Sequence, residues 1–295
     1  MPIVCRKYQG GFKFDVQRLP LGNRKYGGYL TASSPTTARP PPPPPMLPVY
    51  KTILAPALLF QARQLRKTAL RLPEAAGPRR GRFAGVNEPA LRLLFVGDSS
   101  AAGVGVDWQH EALAYQTAEM VASASMRSVE WELIAKSGVT TCEALGLVTA
   151  HAPGPADVVV AALGVNDVTA QHSAKRFVAD YRALLEMVAQ RTGARAAVVS
   201  GLPPLHVLPA APQPLRWYLG QCAQRLNHAL SDLVFQTSNT KFVSLAWAQA
   251  RDMAADKFHP GKLQYRAWAQ LVAAQILALM PTDSRAACAS SARAR

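Results

Sequence analysis

Short, mostly apolar runs alternate with longer amphipathic segments along the chain from residue 91 onward. The runs are Leu91 to Val96, Val129 to Ala135, Val158 to Leu163, Ala196 to Gly201 and Phe242 to Leu245. Runs of this kind are typical of strands that are buried on both faces of a sheet. The sequence therefore predicts five strands of a parallel sheet.

The segments between these runs have helical length and helical spacing of apolar positions. The predicted helices lie at 109–126, 140–150, 174–191, 214–237 and 261–280. Strands that alternate with helices form a sheet covered on both faces. We therefore expect one three-layer α/β/α domain over residues 86–280.

A basic amphipathic helix is predicted ahead of this domain, at residues 58–72. Its apolar positions are spaced by four, three, four and three residues: Leu58, Ala62, Leu65, Ala69 and Leu72. Its other faces carry Arg63, Arg66, Lys67 and Arg71. Such a helix can bind an anionic membrane surface or dock on the domain, and both interpretations stay open.

The remaining segments are predicted to be irregular. Residues 1–45 are basic and end in "RPPPPPPMLP", which predicts a disordered Pro-rich arm. This arm is either genuine or translated upstream sequence, with Met46 as the true start. Residues 46–85 would hold the basic helix and the linker "PEAAGPRRGRFAG", and residues 281–295 a disordered tail.

Of the net charge of +15, all but +2 comes from the segment before the domain. Residues 1–85 carry 15 Lys and Arg against 2 acidic residues, whereas residues 86–280 carry 15 against 15. A domain that binds DNA should carry a basic patch on its own fold. We therefore do not expect a nucleic-acid partner.

Cysteine usage and hydropathy indicate the compartment. The four cysteines have no C-x-x-C spacing, which predicts neither a zinc site nor a disulfide framework and favours a reducing compartment. The apolar run near the start, Thr52 to Phe60, is too short to span a membrane. We expect a cytoplasmic protein, peripheral on the inner membrane surface if residues 58–72 bind lipid.

Polar groups that suit acyl transfer follow several predicted strands. Ser99 follows the first strand, Gly138 the second and Asn166 the third, while Asp256 and His259 precede the last helix. The carboxyl ends of parallel strands share one edge of the sheet, so these groups should converge. His259 could activate the Ser99 hydroxyl, and Asp256 could fix the imidazole tautomer.

The same site needs donors for the oxyanion of a tetrahedral intermediate. The backbone N–H groups of Ser99 and Gly138 and the side-chain amide of Asn166 could form that set. Asp98 and Asp167 are better explained as residues that stabilise turns. The Pro-rich segment after the fourth strand, "SGLPPLHVLPAAPQPLRW", is predicted to be a lid or pocket wall over the site, or only a surface loop.

Four blocks resemble the signature blocks of the SGNH/GDSL hydrolase superfamily. They are Gly97-Asp98-Ser99, Gly138, Gly164-x-Asn166-Asp167 and Asp256-x-x-His259, and the resemblance covers residues 91–280. It implies a flavodoxin-like fold and Ser99 as nucleophile. It also implies oxyanion donors at Ser99, Gly138 and Asn166, and a triad completed by Asp256 and His259. No metal or other cofactor is implied.

Two positions depart from the family pattern. Ser100 follows the expected nucleophile, where many relatives have a bulky apolar residue, and is therefore a rival nucleophile. Val165 replaces a glycine found in many relatives, which could alter the acyl pocket. Histidines other than His259 have no acid at comparable spacing within such a loop.

The sequence therefore predicts a serine hydrolase that cleaves carboxylic esters, with small acyl esters or lipid esters as substrates. Two alternatives remain open. The same groups would serve a carbohydrate O-deacetylase or a thioesterase. The second alternative is a domain without catalytic activity that binds a membrane surface.

Overall fold

The computed structural model describes residues 47–280. The predictions of a disordered arm and tail concern segments outside these residues. The helices are α1 (Leu47–Thr68), α2 (Leu113–Ser125), α3 (Thr141–His151), α4 (Val165–Thr169), α5 (Ala174–Thr192), α6 (Leu215–Phe235) and α7 (Lys262–Leu279). The strands are β1 (Arg80–Phe83), β2 (Asn87–Gly97), β3 (Arg127–Ala135), β4 (Val158–Ala162), β5 (Ala196–Ser200) and β6 (Thr240–Val243).

The strands form one sheet in the order β1-β3-β2-β4-β5-β6. The β3–β2, β2–β4, β4–β5 and β5–β6 pairs are parallel. Numbered along the chain, these five parallel strands have the order 2-1-3-4-5, which is the flavodoxin-like order of doubly wound sheets. The predicted fold class is therefore confirmed.

The strand count of five is wrong, because the sheet has six strands. β1 lies in the segment predicted to be a linker and pairs antiparallel with β3. It has only four residues, and the first three are exposed. An edge strand of this kind buries no continuous face, so its sequence lacks the apolar run that marks the other strands. Its Arg82 pairs instead with Glu88 and Glu130.

Two apolar cores cover the two faces of the sheet. Leu94 and Val96 of β2 face the core formed with α3, α5 and α6, whereas Leu93 and Phe95 face the core formed with α2 and α7. Side chains alternate between the faces of a strand, so one apolar strand supplies both cores. This is the predicted three-layer arrangement, and it holds the carboxyl ends of β2 to β6 at one edge.

The first helix spans Leu47–Thr68 rather than the predicted 58–72. It ends before Pro73, which disfavours helical backbone at the residue ahead of it. Leu58 is buried, and Ala62 and Leu65 pack against the core that includes α6. This part of the predicted apolar stripe therefore docks on the domain, which was one of the two interpretations. Ala69, the next position of the stripe, lies beyond the end of the helix.

Within residues 47–280, no helix is long and apolar enough to cross a membrane.

Candidate active site

A tight turn after β2 presents Ser99 at the carboxyl edge of the sheet. A Cβ atom on Gly97 would lie 2.2 Å from the Cβ of Ala101 and 2.8 Å from the carbonyl oxygen of Ala162. Only glycine therefore allows the chain to turn this closely against β4. The turn therefore requires a glycine at position 97, the first residue of the Gly97-Asp98-Ser99 motif.

The same loop touches the loop that carries His259. Gly105 has a φ of +107°, and a Cβ atom there would lie 2.3 Å from the carbonyl oxygen of Pro260. Any other residue would combine an unfavourable backbone conformation with a clash. The turn that carries Ser99 and the loop that carries His259 are therefore in direct backbone contact.

Tyr265 of α7 stabilises the turn that carries Ser99. Its buried hydroxyl lies 2.8 Å from the carbonyl oxygens of both Ser100 and Val104, which share its single hydrogen. Sequence reasoning missed this residue, because a tyrosine within a helix carries no signal of a long-range hydrogen bond. Burial raises the pKa of Tyr265 well above its usual value, so its proton stays in place.

Ser99, His259 and Asp256 form a continuous hydrogen-bonded chain. The Oγ atom of Ser99 lies 2.8 Å from Nε2 of His259, and Nδ1 of His259 lies 2.6 Å from Oδ2 of Asp256. An ionised carboxylate only accepts hydrogen bonds, so Nδ1 carries the proton and Nε2 can accept from the serine hydroxyl. The contact of His259 is with Ser99 and not with the rival Ser100.

Asp256 is held as an anion by its surroundings. Its side chain is 3% exposed, and this burial pushes its pKa up. Hydrogen bonds from the His259 ring and from the backbone N–H groups of Phe258 and His259 outweigh burial, so the pKa lies below its usual value. A charged Asp256 can therefore stabilise a protonated His259.

Asn166 and Gly138 are linked to the nucleophile turn through their neighbours. The Nδ2 atom of Asn166 donates to the carbonyl oxygen of Val139 at 2.9 Å and lies 3.4 Å from Oδ2 of Asp98. Within residues 47–280, neither the Ser99 N–H nor the Gly138 N–H has a hydrogen-bond acceptor. The groups predicted to receive an oxyanion are thus brought to the same edge.

Asp98 does stabilise the turn, as predicted. Its Oδ1 atom accepts the N–H of Ser100 at 3.0 Å, and its side chain is fully enclosed. Burial raises its pKa from 3.8 to about 6, despite that hydrogen bond. An ionised Asp98 therefore costs stability near neutral pH.

Asp98→Asn should reveal this cost as a pH-dependent gain in stability. Unfolded Asp98 releases its proton near pH 3.8, whereas folded Asp98 keeps it until about pH 6, so the wild-type fold loses stability as pH rises through this window. The free energy of unfolding of the variant, relative to wild type, should rise by about 2 kcal/mol between pH 4 and pH 7. Urea titrations across this range measure it.

Exposed Asp107→Asn is the matched control for that comparison. A difference between Asp98→Asn and wild type that stays constant with pH would contradict an elevated pKa at Asp98. Any fixed cost of the amide at this position cancels in the comparison, because only the change with pH is interpreted.

A small apolar cavity lies beside the triad. Its volume is about 60 Å³, and it is lined by the chain neighbours of the site residues, among them Ser100, Val165 and Phe258. The Pro-rich segment after β5 forms part of the wall through Leu202, Pro203, Leu205 and Leu208. The predicted pocket wall is therefore present.

Asp167 lies next to Asn166 but serves the fold. Its Oδ2 atom accepts from the backbone N–H and the hydroxyl of Thr141, and its Oδ1 atom lies 2.9 Å from Nδ1 of His172. This Asp–His pair was not predicted from sequence. Asp180 also approaches, so three possible metal ligands lie within 4.8 Å of one another. Both carboxylate oxygens of Asp167 already have hydrogen-bond partners. The contact between Asp167 of α4 and Thr141 of α3 joins the two helices, and this structural role explains the cluster.

The family of the chain follows from a match over more than half of its length. The model of the GDSL-like lipase/acylhydrolase family matches residues 95–267, which include Ser99, Asn166 and His259. The chain belongs to this family. It is a hydrolase that cleaves ester bonds, and a catalytic triad and an oxyanion hole are typical of the family.

Solved structures of other proteins share the fold. A lipase, Lip_vut3, from a goat rumen metagenome aligns with a TM-score of 0.52 at 16% identity, covering 63% of this chain and 97% of that one. A carbohydrate esterase family 2 enzyme from Corynascus thermopiles (Myceliophthora fergusii) aligns with a TM-score of 0.50 at 14% identity, covering 65% and 68%. No curated protein matches the chain significantly. At these identities the likeness shows the fold alone.

Proposed function

We propose that the protein is a serine esterase whose nucleophile is Ser99, with His259 as general base and Asp256 as the residue that orients it. The chain of hydrogen bonds from Ser99 to His259 to Asp256, at 2.8 and 2.6 Å, carries this proposal. A serine hydroxyl is a weak nucleophile, and an adjacent base held in one tautomer is what activates it.

The chemistry proceeds in two halves. Ser99 Oγ attacks the ester carbonyl carbon while Nε2 of His259 takes its proton, and the protonated imidazole then returns that proton to the departing alkoxide. An acyl group remains on Ser99. Water attacks this acyl-enzyme with the same histidine as base, which releases the carboxylic acid and restores the serine hydroxyl.

Three donors would stabilise the negative charge of the tetrahedral intermediate. They are the N–H groups of Ser99 and Gly138 and the Nδ2 amide of Asn166. The bond from Asn166 to the Val139 carbonyl holds the amide beside Gly138, and the other Nδ2 hydrogen, which lies by Asp98 Oδ2 at 3.4 Å, would turn to the oxyanion as charge develops. Donors fixed in advance are the main source of rate enhancement in acyl transfer.

The adjoining cavity favours a short acyl group. A cavity of about 150 Å³ holds a benzene ring, and this one is less than half that size. Its apolar wall would bind the acyl chain, and the alcohol would lie on the other side of Ser99, which is half-buried. The proposed substrates are therefore esters of short-chain acids, of about two to four carbons.

Hydrolysis of p-nitrophenyl esters of increasing acyl length tests this proposal. We expect kcat/KM to be highest at about two to four carbons and to fall by about tenfold or more at eight carbons, because the longer chain does not fit the cavity. Acetylated sugars and a lysophospholipid, assayed beside them, would define the alcohol side.

A matched pair of variants links the profile to the cavity. Leu208→Ala removes a cavity wall and should shift the optimum to longer acyl chains, whereas Leu226→Ala truncates a buried leucine that does not line the cavity and should leave the optimum unchanged. A wild-type optimum at eight carbons or more would refute the short-acyl assignment. An unchanged optimum in Leu208→Ala would place the acyl chain elsewhere.

A further inference from the structure

The first helix, α1, has two apolar faces, and only one of them is covered by the domain. Leu58, Ala62 and Leu65 pack against the domain. The opposite face, which we call the outer face, exposes Val49 by 45%, Ile53 by 69%, Leu59 by 58% and Phe60 by 70%. This outer face differs from the stripe predicted from sequence to contact a membrane.

The outer face concentrates exposed apolar area in one place. Of the eleven large apolar side chains that are exposed within residues 47–280, five lie on α1. The others are scattered singly, as is normal for a soluble protein surface. Val49, Ile53 and Phe60 recur at spacings of four and seven residues, which places them on one side of a helix. Such a patch indicates a binding surface.

The same helix carries only positive charge. Its charged residues are Lys51, Arg63, Arg66 and Lys67, and it has no acidic residue. All four are exposed, and within residues 47–280 none of them forms an ion pair with a carboxylate. Arg63 and Lys67 follow the apolar residues of the outer face by helical spacing, so the face is apolar over its first turns and basic over its last.

Contacts of α1 place it at the catalytic end of the domain. Gln61 bonds both the carbonyl oxygen of Gln213 and the N–H of Leu215, and the ring of Tyr50 meets that of Trp217 edge-on at 5.3 Å. These partners open α6, directly after the Pro-rich segment that lines the cavity beside Ser99. The helix therefore docks near the edge of the sheet where the triad lies.

We propose that the outer face of α1 docks the protein on the surface of an anionic lipid bilayer. Ile53, Leu59 and Phe60 enter the boundary between headgroups and acyl chains, and Arg63 and Lys67 meet lipid phosphates. The helix that docks and the catalytic edge lie at the same end of the domain. The proposal is independent of which ester is cleaved.

A bilayer fits this surface better than a folded partner does. Val49, Ile53 and Phe60 lie on the solvent side of the helix, whereas Leu59 and Arg63 stand at the rim of a groove between α1 and α6. The helix combines exposed apolar side chains with cations and carries no acidic residue, which suits an anionic membrane, in which phosphate charge lies above hydrocarbon. The remaining occupants, residues 1–46 of this chain and a second copy of the protein, are outcomes of the test below.

Cosedimentation of the full chain with vesicles tests the docking. We expect binding to vesicles of phosphatidylcholine and phosphatidylglycerol at low salt, little binding to phosphatidylcholine alone, and strong weakening at about 0.5 M salt. The double variant Ile53→Ser/Phe60→Ser should lower the partition coefficient by about tenfold or more. Arg63→Gln and Lys67→Gln should each lower it by about fivefold.

The matched control is Val86→Ser/Leu263→Ser, which removes two exposed apolar side chains elsewhere on the surface. It should bind vesicles within about twofold of wild type. Both double variants should hydrolyse a soluble short-chain ester at the wild-type rate, since neither touches the triad or the cavity.

Three results would overturn the proposal. Absence of binding to the anionic vesicles at low salt is the first, and it would be expected if residues 1–46 cover the outer face. Binding that survives Ile53→Ser/Phe60→Ser would place the membrane contact elsewhere in the chain. A dimer in sedimentation velocity without lipid, which this double variant converts to a monomer, would assign the face to a second copy.

Discussion

Ser99→Ala is expected to lower kcat/KM for a short-chain p-nitrophenyl ester by about 10⁴-fold or more. The variant lacks the only hydroxyl that lies within hydrogen-bonding distance of His259 in the described structure. Without it, His259 has no nucleophile to activate. A fluorophosphonate probe, which reacts with activated serines, should label the wild type at Ser99 and should not label the variant.

Ser100→Ala is the control for this experiment. Ser100 is the next residue in the turn and lines the cavity, but its hydroxyl does not contact His259. Labelling should therefore persist in this variant, and activity should fall by less than about tenfold. Two results would contradict Ser99 as the nucleophile. One is peptide mapping that places the probe on Ser100, and the other is labelling that survives Ser99→Ala.

Asp256→Asn should lower kcat by about 10⁴-fold with little change in KM. The amide matches the carboxylate in size, but its NH₂ group can donate to Nδ1 of His259. The ring would then carry its proton on Nε2, and it could no longer accept the proton of Ser99 Oγ. Loss of the negative charge also removes the stabilisation of the imidazolium.

The matched control here is Asp232→Asn. Asp232 also stands beside a histidine, with its Oδ2 atom 3.7 Å from Nε2 of His228, but it lies on α6 away from Ser99. Its amide variant should keep kcat within about twofold of wild type. A loss of less than about tenfold in Asp256→Asn would show that the orientation of His259 does not depend on this carboxylate. Melting curves of both variants separate catalytic loss from unfolding.

The central sheet could be predicted from sequence because its strands are buried on both faces. Val158 to Leu163, for example, is apolar throughout, so it can only be an interior strand of a sheet that is covered on both faces. The edge strand at Arg80–Phe83 could not be predicted in this way. Its pairing with β3 depends on backbone hydrogen bonds across a sequence separation of about fifty residues, and its exposed side chains follow no apolar pattern.

The short motifs of the candidate site could be predicted from sequence, but the residues that hold those motifs in place could not. Asp256 and His259 are three residues apart, so a local pattern reveals them. Tyr265 donates to the carbonyl group of Ser100, and the carbonyl group of Val139 accepts from Asn166. Every residue has a backbone carbonyl group, so the sequence does not show which of them form such bonds. The Asn166 contact with the Val139 carbonyl and the cavity volume both require the three-dimensional fold.

The support of Ser99 by α7 has a consequence for how this enzyme tolerates change. His259 immediately precedes that helix, and Tyr265 within it bonds the carbonyl groups on either side of the nucleophile loop. Gly105 seats the same loop against Pro260. The proposed nucleophile and base, Ser99 and His259, are therefore positioned by the same helix, although 160 residues separate them in the chain. Substitutions that repack the outer helices can accumulate without changing the spacing of the reacting atoms.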